Sequence, residues 1–297
     1  MNLGTPNQND RNIVVAGEGV IFVHNPTATG SDDWLRYASA EDGKLRWEVQ
    51  FKGNVNSMVV DKDRVYTVGL QKTHRVTAYD LKTGTLIWVS EANLPGHTGY
   101  YIRFQAKKLY VYSSASEIYV FDPESGDLLD TYNAALNHGS IVLLQLDNGN
   151  ALQYDNKNLL LTMNKEILWQ TEHQAFVLYK FPRVYDNLVI IQFEERTGIF
   201  DGIMAVNLNT GEIIWRRSGE FSSNFIIIDD LLYVISGDAK ILTLDPSNGK
   251  TLGFLQVLPA NVANQTHRNT GIAGNSDMLY VYFEDSQELI AFGKKRE

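Results

Sequence analysis

Cysteine is absent from the 297 residues of this chain. Its absence removes disulfides, thiolate nucleophiles and cysteine metal ligands together, and leaves the redox compartment open. Proline is scarce, at 7 residues. No Pro- or Ser-rich linker interrupts the sequence, so a single domain over residues 1–297 is expected. No run of about 20 apolar residues occurs, which argues against a helical membrane span. No basic stretch followed by an apolar one opens the chain, so no signal peptide is visible, and a leader removed upstream of Met1 stays open. Positive charge is also in short supply. Lys and Arg number 26 against 35 Asp and Glu, a net charge of −9. Binding a phosphate backbone calls for a basic surface, so nucleic acid is not expected as the main partner.

Chemical motifs are missing as well. There is no H-E-x-x-H, H-x-H or D-x-D-x-D-G pattern for a metal, and no G-x-S-x-G nucleophile elbow. Asp147 to Asn150 and Asp155 to Asn158 read as hairpin turns rather than calcium loops. Gly17-Glu18-Gly19 is a hairpin turn rather than a phosphate loop. The carboxylate pairs Asp229-Asp230 and Glu194-Glu195 read as solvated charges at turns and strand ends. Neither a metal nor a cofactor is expected.

What the chain does have is repetition. Residues 78–88 give A-x-D-x-x-T-G-x-x-x-W, carried by Ala78, Asp80, Thr83, Gly84 and Trp88. The pattern returns at Ala205, Asn207, Thr210, Gly211 and Trp215, and more loosely at Asp42, Gly43 and Trp47. Two copies keep the turn without the Trp, at Asp122, Ser125, Gly126 and at Asp245, Asn248, Gly249; a worn copy ends in Lys165 and Trp169. The turn positions 43, 84, 126, 165, 211 and 249 are spaced near 40 residues, the period of propeller blades.

Each unit reads as four short strands rich in Val, Ile, Tyr and Thr. The clearest predicts strands at 57–60, 64–70, 75–81 and 85–91. Asp80 and Thr83 are expected to hold the turn before the last strand, with Gly84 in a left-handed conformation. Trp47, Trp88, Trp169 and Trp215 share one register in the outer strand, where a large ring can wedge between neighbouring blades. They are read as structural docking residues, with Asp80, Gly84, Asp122, Gly126, Gly211, Asp245 and Gly249.

An apolar pair opens each second strand: Val20-Ile21, Val65-Tyr66, Leu109-Tyr110, Ala151-Leu152, Val189-Ile190, Leu232-Tyr233 and Leu279-Tyr280. The expected fold is all-β, one β-propeller of four-stranded antiparallel blades, seven in number, with eight as the alternative. The seventh unit lacks an outer strand of its own. Residues 1–10 are either its closing strand or a disordered tail.

The A-x-D-x-x-T-G-x-x-x-W skeleton resembles the tryptophan-docking repeat of quinoprotein-type (PQQ-like) propellers, over nearly the whole chain. That superfamily includes pyrroloquinoline-quinone dehydrogenases and non-enzymatic members. The dehydrogenases use calcium, an Asp base and often a vicinal Cys pair. With no Cys, this chain resembles the non-enzymatic BamB-like branch more closely, and PQQ binding is not expected. The resemblance implies a monomeric scaffold in a cell envelope, presenting its inter-blade loop face to a protein partner.

A different reading stays open. His97, His138, His173 and His267 fall in inter-blade connections, with Arg268 and Tyr101 near the same face. Such a ring suits a small polar ligand, an anion or a metal at the mouth of a central channel, or a weak enzyme activity. An intracellular regulator is a third possibility. Trp34 and Phe200, beside the long segments 24–33 and 194–201, are read either as contact residues or as rings folded back onto their strands.

Overall fold

The computed structural model describes residues 13–24, 32–70, 74–95, 100–113, 116–133, 135, 141–146, 148–155, 157–173, 177–178, 182–194, 200–257, 270–283 and 288–293. The chain is all-β, a seven-bladed β-propeller with mostly four-stranded antiparallel blades.

The first blade is β1 (Ile13–Ala16), β2 (Gly19–His24), β3 (Asp33–Ser39) and β4 (Leu45–Phe51). The second is β5 (Asn54–Asp61), β6 (Arg64–Leu70), β7 (His74–Asp80) and β8 (Leu86–Val89). Its strands lie within a few residues of the segments predicted from sequence. The third is β9 (Tyr101–Gln105), β10 (Lys108–Tyr112), β11 (Glu117–Phe121) and β12 (Leu128–Asn133). The fourth is β13 (Ile141–Gln145), β14 (Ala151–Tyr154), β15 (Asn158–Met163) and β16 (Glu166–Glu172).

The fifth blade opens with two short strands, β17 (Val177–Leu178) and β18 (Arg183–Tyr185), both paired to β19 (Leu188–Glu194). It continues through β20 (Phe200–Asn207) into β21 (Ile213–Ile228), a strand of 16 residues. The first half of β21 is the outer strand of the fifth blade. Its second half is the inner strand of the sixth, followed by β22 (Leu231–Ser236), β23 (Lys240–Leu244) and β24 (Thr251–Gln256). The seventh blade has three strands among the described residues: β25 (Thr270–Gly274), β26 (Met278–Phe283) and β27 (Glu288–Gly293). Residues 1–10, the expected closing strand or tail, lie outside the described residues.

Burial follows position in the blade. Every residue of the second strands β2, β14 and β19 is buried, and all seven apolar pairs singled out in the sequence fall on second strands. These strands are covered on both faces, so they read as continuous apolar runs rather than alternating ones. The outer strands β12 and β24 are largely exposed.

Two compact units emerge: residues 1–133 with 273–297, and residues 134–272. In the first, Asp33 is buried; it accepts a hydrogen bond at Oδ2 from the Val55 N–H (2.7 Å) and donates its own N–H to the Gly53 carbonyl (2.9 Å). The Ile102 N–H reaches Ser57 Oγ at 3.3 Å. Ile13, Val20, Phe22 and Ala38 of the first blade form one core with Ala273, Tyr280 and Tyr282. In the second unit, Asn224 acts as a sheet rung. Its Nδ2 donates to the Ile272 carbonyl (3.2 Å) and its Oδ1 accepts from the Ile272 N–H (3.0 Å). Asn224→Ala removes both partners of a partly buried peptide group and should cost about 1–3 kcal/mol. Urea unfolding reads this out, and an unchanged midpoint would show that the rung carries no stability.

Candidate functional site

The repeat residues meet across successive blades. The Trp47 ring lies against Gly84, Trp88 against Gly126, Trp169 against Gly211 and Trp215 against Gly249. A Cβ on those glycines would come within 2.8, 2.5, 2.6 and 2.7 Å of the ring atoms. Each indole N–H also has a fixed acceptor in the following blade. Trp47 donates to the Leu81 carbonyl (2.8 Å), Trp88 to Pro123 (3.2 Å), Trp169 to Leu208 (2.7 Å) and Trp215 to Pro246 (2.9 Å). One hydrogen bond and one flat contact thus fix each ring, satisfying its polar edge while its face is buried.

The turn builds the seat. Gly84 has a φ of +72°, Gly126 +79°, Gly211 +76° and Gly249 +71°, a left-handed region that a side chain resists. Asp80 Oδ1 accepts from the Thr83 hydroxyl and N–H, both at 2.7 Å. Asp122 Oδ1 accepts from the N–H groups of Glu124 (2.7 Å) and Ser125 (3.1 Å). Asp245 accepts from the Ser247 hydroxyl (2.6 Å) and N–H (2.8 Å). These donors favour the charged carboxylate, so Asp80 and Asp245 are held below the usual carboxylate range, by the Thr83 and Ser247 hydroxyls first.

Asp42, in the first blade, is pulled down to about 2, chiefly by the Lys44 ammonium and then by the Lys44 N–H. A lowered folded pKa gives stability that is complete above the unfolded value of 3.8 and is lost as pH falls through about 2. An NMR titration should therefore place the Asp42 carboxyl midpoint near 2; a midpoint at the free value would show that the Lys44 contacts do not persist in solution.

The pattern breaks in three places. In the third blade Asp130 occupies the Trp position, and it is exposed. In the fourth, Asn164 and Lys165 form a two-residue turn with φ of +51° and +67°, the type that suits a tight hairpin. Gly253 stands at the Trp position of β24, with nothing within 4 Å of a Cβ there among the described residues.

The loop-face residues fare differently. His97, His138, His267 and Arg268 lie outside the described residues. His173 is buried; its Nε2 pairs with the Asp155 carbonyl at 3.1 Å, and its own carbonyl accepts from Arg216 Nη1 at 2.8 Å. Tyr101 is buried and stacks on Tyr112 at 4.5 Å with ring planes 4° apart. His24 and His74 are buried too. Burial, and then Arg36, lowers the His24 pKa, and the His74 ring packs on Tyr100 at 4.8 Å. Trp34 sits in β3, half-buried, paired in register with His24 and Gln50. Phe200 opens β20, and its side chain lies outside the described residues. Among the described residues no group of three or more His, Cys, Asp or Glu could hold a metal ion.

Comparison with known proteins bears on the repeat as a whole. The family model described as outer membrane protein assembly factor BamB matches residues 4–143 and 114–295. The chain belongs to this BamB family. One curated relative is the outer membrane protein assembly factor BamB of Shewanella oneidensis, 24% identical over 287 aligned positions, which cover 76% of this chain and 71% of that protein. Among solved structures, BamB from Moraxella catarrhalis matches with a TM-score of 0.56 at 15% identity, over 96% of this chain and 83% of that one. That likeness speaks for the fold. No helix among the described residues is long and apolar enough to cross a membrane.

Proposed function

We propose that the chain is a non-enzymatic propeller scaffold in outer-membrane protein assembly, working in the cell envelope and presenting its inter-blade loops to a protein partner. Membership of the BamB family over nearly the whole chain carries this reading. The geometry is consistent with it. The four docking Trp rings and the glycines beneath them are engaged in blade-to-blade contacts, the Asp residues of the repeat hold their own turns, and the described histidines are packed into the blades. No observation among the described residues favours the alternative of a polar ligand at a channel mouth.

Deletion in the native host, with quantitative proteomics of the outer membrane, tests the proposal. The expected result is a fall in outer-membrane β-barrel proteins, restored by the full chain. An unchanged outer membrane, with the chain recovered only from the cytoplasm, would sink it.

A further inference from the structure

The turn between the third and fourth strands follows one plan in five blades, and one position in it varies in size. Ala40 of the first blade stands where the second has Leu81, the third Pro123, the fifth Leu208 and the sixth Pro246. Hydrogen bonds fix the equivalence. Ala40 donates its N–H to the Glu18 carbonyl at 2.9 Å, as Leu81 does to Asp63 and Leu208 to Asn187, both at 2.7 Å. The larger side chains have work in the packing. Leu81 is buried in a core with Val14, Ala16 and Trp47 of the first blade, and Leu208 packs on the core of Leu143, Leu152 and Val189. Ala40 brings a single methyl group to the same place.

That methyl group lines a cleft of about 360 Å³ within the first compact unit, inside the ~300–1,000 Å³ range of ligand pockets. Met278 and Tyr280 of β26 form the apolar wall, and turns carrying Glu18, Glu41 and Asp277 complete the lining. The three acidic residues are exposed, and none makes an ion pair among the described residues. The cations of the adjacent turn are engaged: Arg46 Nη2 bonds Ser39 Oγ at 3.0 Å, and Lys44 pairs with Asp42 at 3.0 Å. Tyr280 is 2% exposed, and its hydroxyl makes no hydrogen bond among the described residues. It interacts electrostatically with Tyr37, whose own hydroxyl bonds the Ala16 carbonyl at 3.1 Å, beside the lining residue Gly17. Burial, and then Tyr37, raises the Tyr280 pKa, so the group stays a neutral hydroxyl with lone pairs to offer a donor. The three carboxylates do not converge as metal ligands would, which favours a ligand whose positive charge is spread along a chain.

We propose that this cleft binds an alkylammonium ion, foremost a flexible aliphatic polyamine. Its ammonium groups meet the carboxylates of Glu18, Glu41 and Asp277, its methylene chain lies along Ala40 and Met278, and one N–H is donated to the Tyr280 hydroxyl. Charge-assisted hydrogen bonds hold the ends of such a molecule, and burial of its methylenes holds the middle. The same ammonium chemistry occurs on lysine side chains, so the test separates the two sources. The inference goes beyond the scaffold reading and does not depend on it.

Isothermal titration calorimetry of the full chain with spermidine at low salt tests it. Saturable binding that weakens as salt rises is expected. Ala40→Leu installs the side chain that the second and fifth blades carry, so it should keep or raise the urea midpoint. By filling the cleft it should weaken binding at least about tenfold. Tyr280→Phe should weaken binding roughly tenfold by removing the acceptor, while Glu166→Gln, on the outer strand of the fourth blade, should leave it unchanged. Nα-acetyl-lysine amide is the second probe: weaker binding than spermidine assigns the site to a free polyamine, and tighter binding assigns it to a lysine side chain of a protein. The proposal is overturned by absence of saturation, by a folded Ala40→Leu protein that binds spermidine as tightly as wild type, or by Mg²⁺ displacing spermidine at equal charge, as it would from any acidic surface.

Discussion

Replacing Trp47 with alanine should destabilise the protein by about 3–5 kcal/mol, the range for truncating a large buried aromatic. The ring is buried, sits on Gly84, donates to the Leu81 carbonyl at 2.8 Å and packs on Tyr37 at 5.7 Å between centroids. The loss combines a cavity with an orphaned carbonyl. Hydrogen exchange should show where it falls: amides of β4, β7 and β8 lose protection first, while those of the second unit keep theirs. A change near zero in the urea midpoint would mean that the indole contact is incidental to the first two blades.

Gly84→Ala compared with Gly43→Ala should separate strain from collision. The two turns share their backbone, with φ of +72° and +67°. A Cβ on Gly43 meets nothing within 4 Å among the described residues, whereas on Gly84 it would lie 2.8 Å from Trp47 Cδ2. Gly43→Ala should cost only the ~1–2 kcal/mol of a left-handed alanine. Gly84→Ala should cost that plus ~1–3 kcal/mol of overpacking against a ring that cannot move freely. Trp47→Ala should abolish the difference, because neighbours that collide do not contribute additively. Equal costs at the two glycines in the wild-type background would refute the collision.

Much of the architecture was legible because it is written locally. A turn of the D-x-x-T-G kind needs its residues within a few positions of one another, and an apolar pair after a polar turn marks a strand covered on both faces. Hence the seven second strands and the strands of the second blade could be placed from the sequence. Long-range pairing leaves no such local mark. Nothing near Gly84 indicates that its ring comes from Trp47, in the repeat before, rather than from Trp88 in its own. Nor does the sequence around β21 announce that one strand serves two blades, since Ser218, Gly219 and Glu220 look like a break. The histidines show the same limit. His24, His74 and His173 sit next to polar loop residues in sequence, and their burial depends on rings and carbonyls supplied from elsewhere, such as Tyr100 for His74. The candidates His97, His138, His267 and Arg268 fall in segments outside the described residues, so their part in the site rests on sequence alone.

The uninterrupted run of β21 matters for how the molecule is assembled and how its blade number can change. Among the described residues the other blades end in one strand and begin in another, so a blade can be gained or lost as a module by exchange at the joint. Between the fifth and sixth blades the joint is itself sheet, with rungs to β20 on one side and to β22 on the other. Neither blade has a finished edge until the other is present. The pair should order and melt as one cooperative block, and an insertion at that joint would shift strand register in two blades at once.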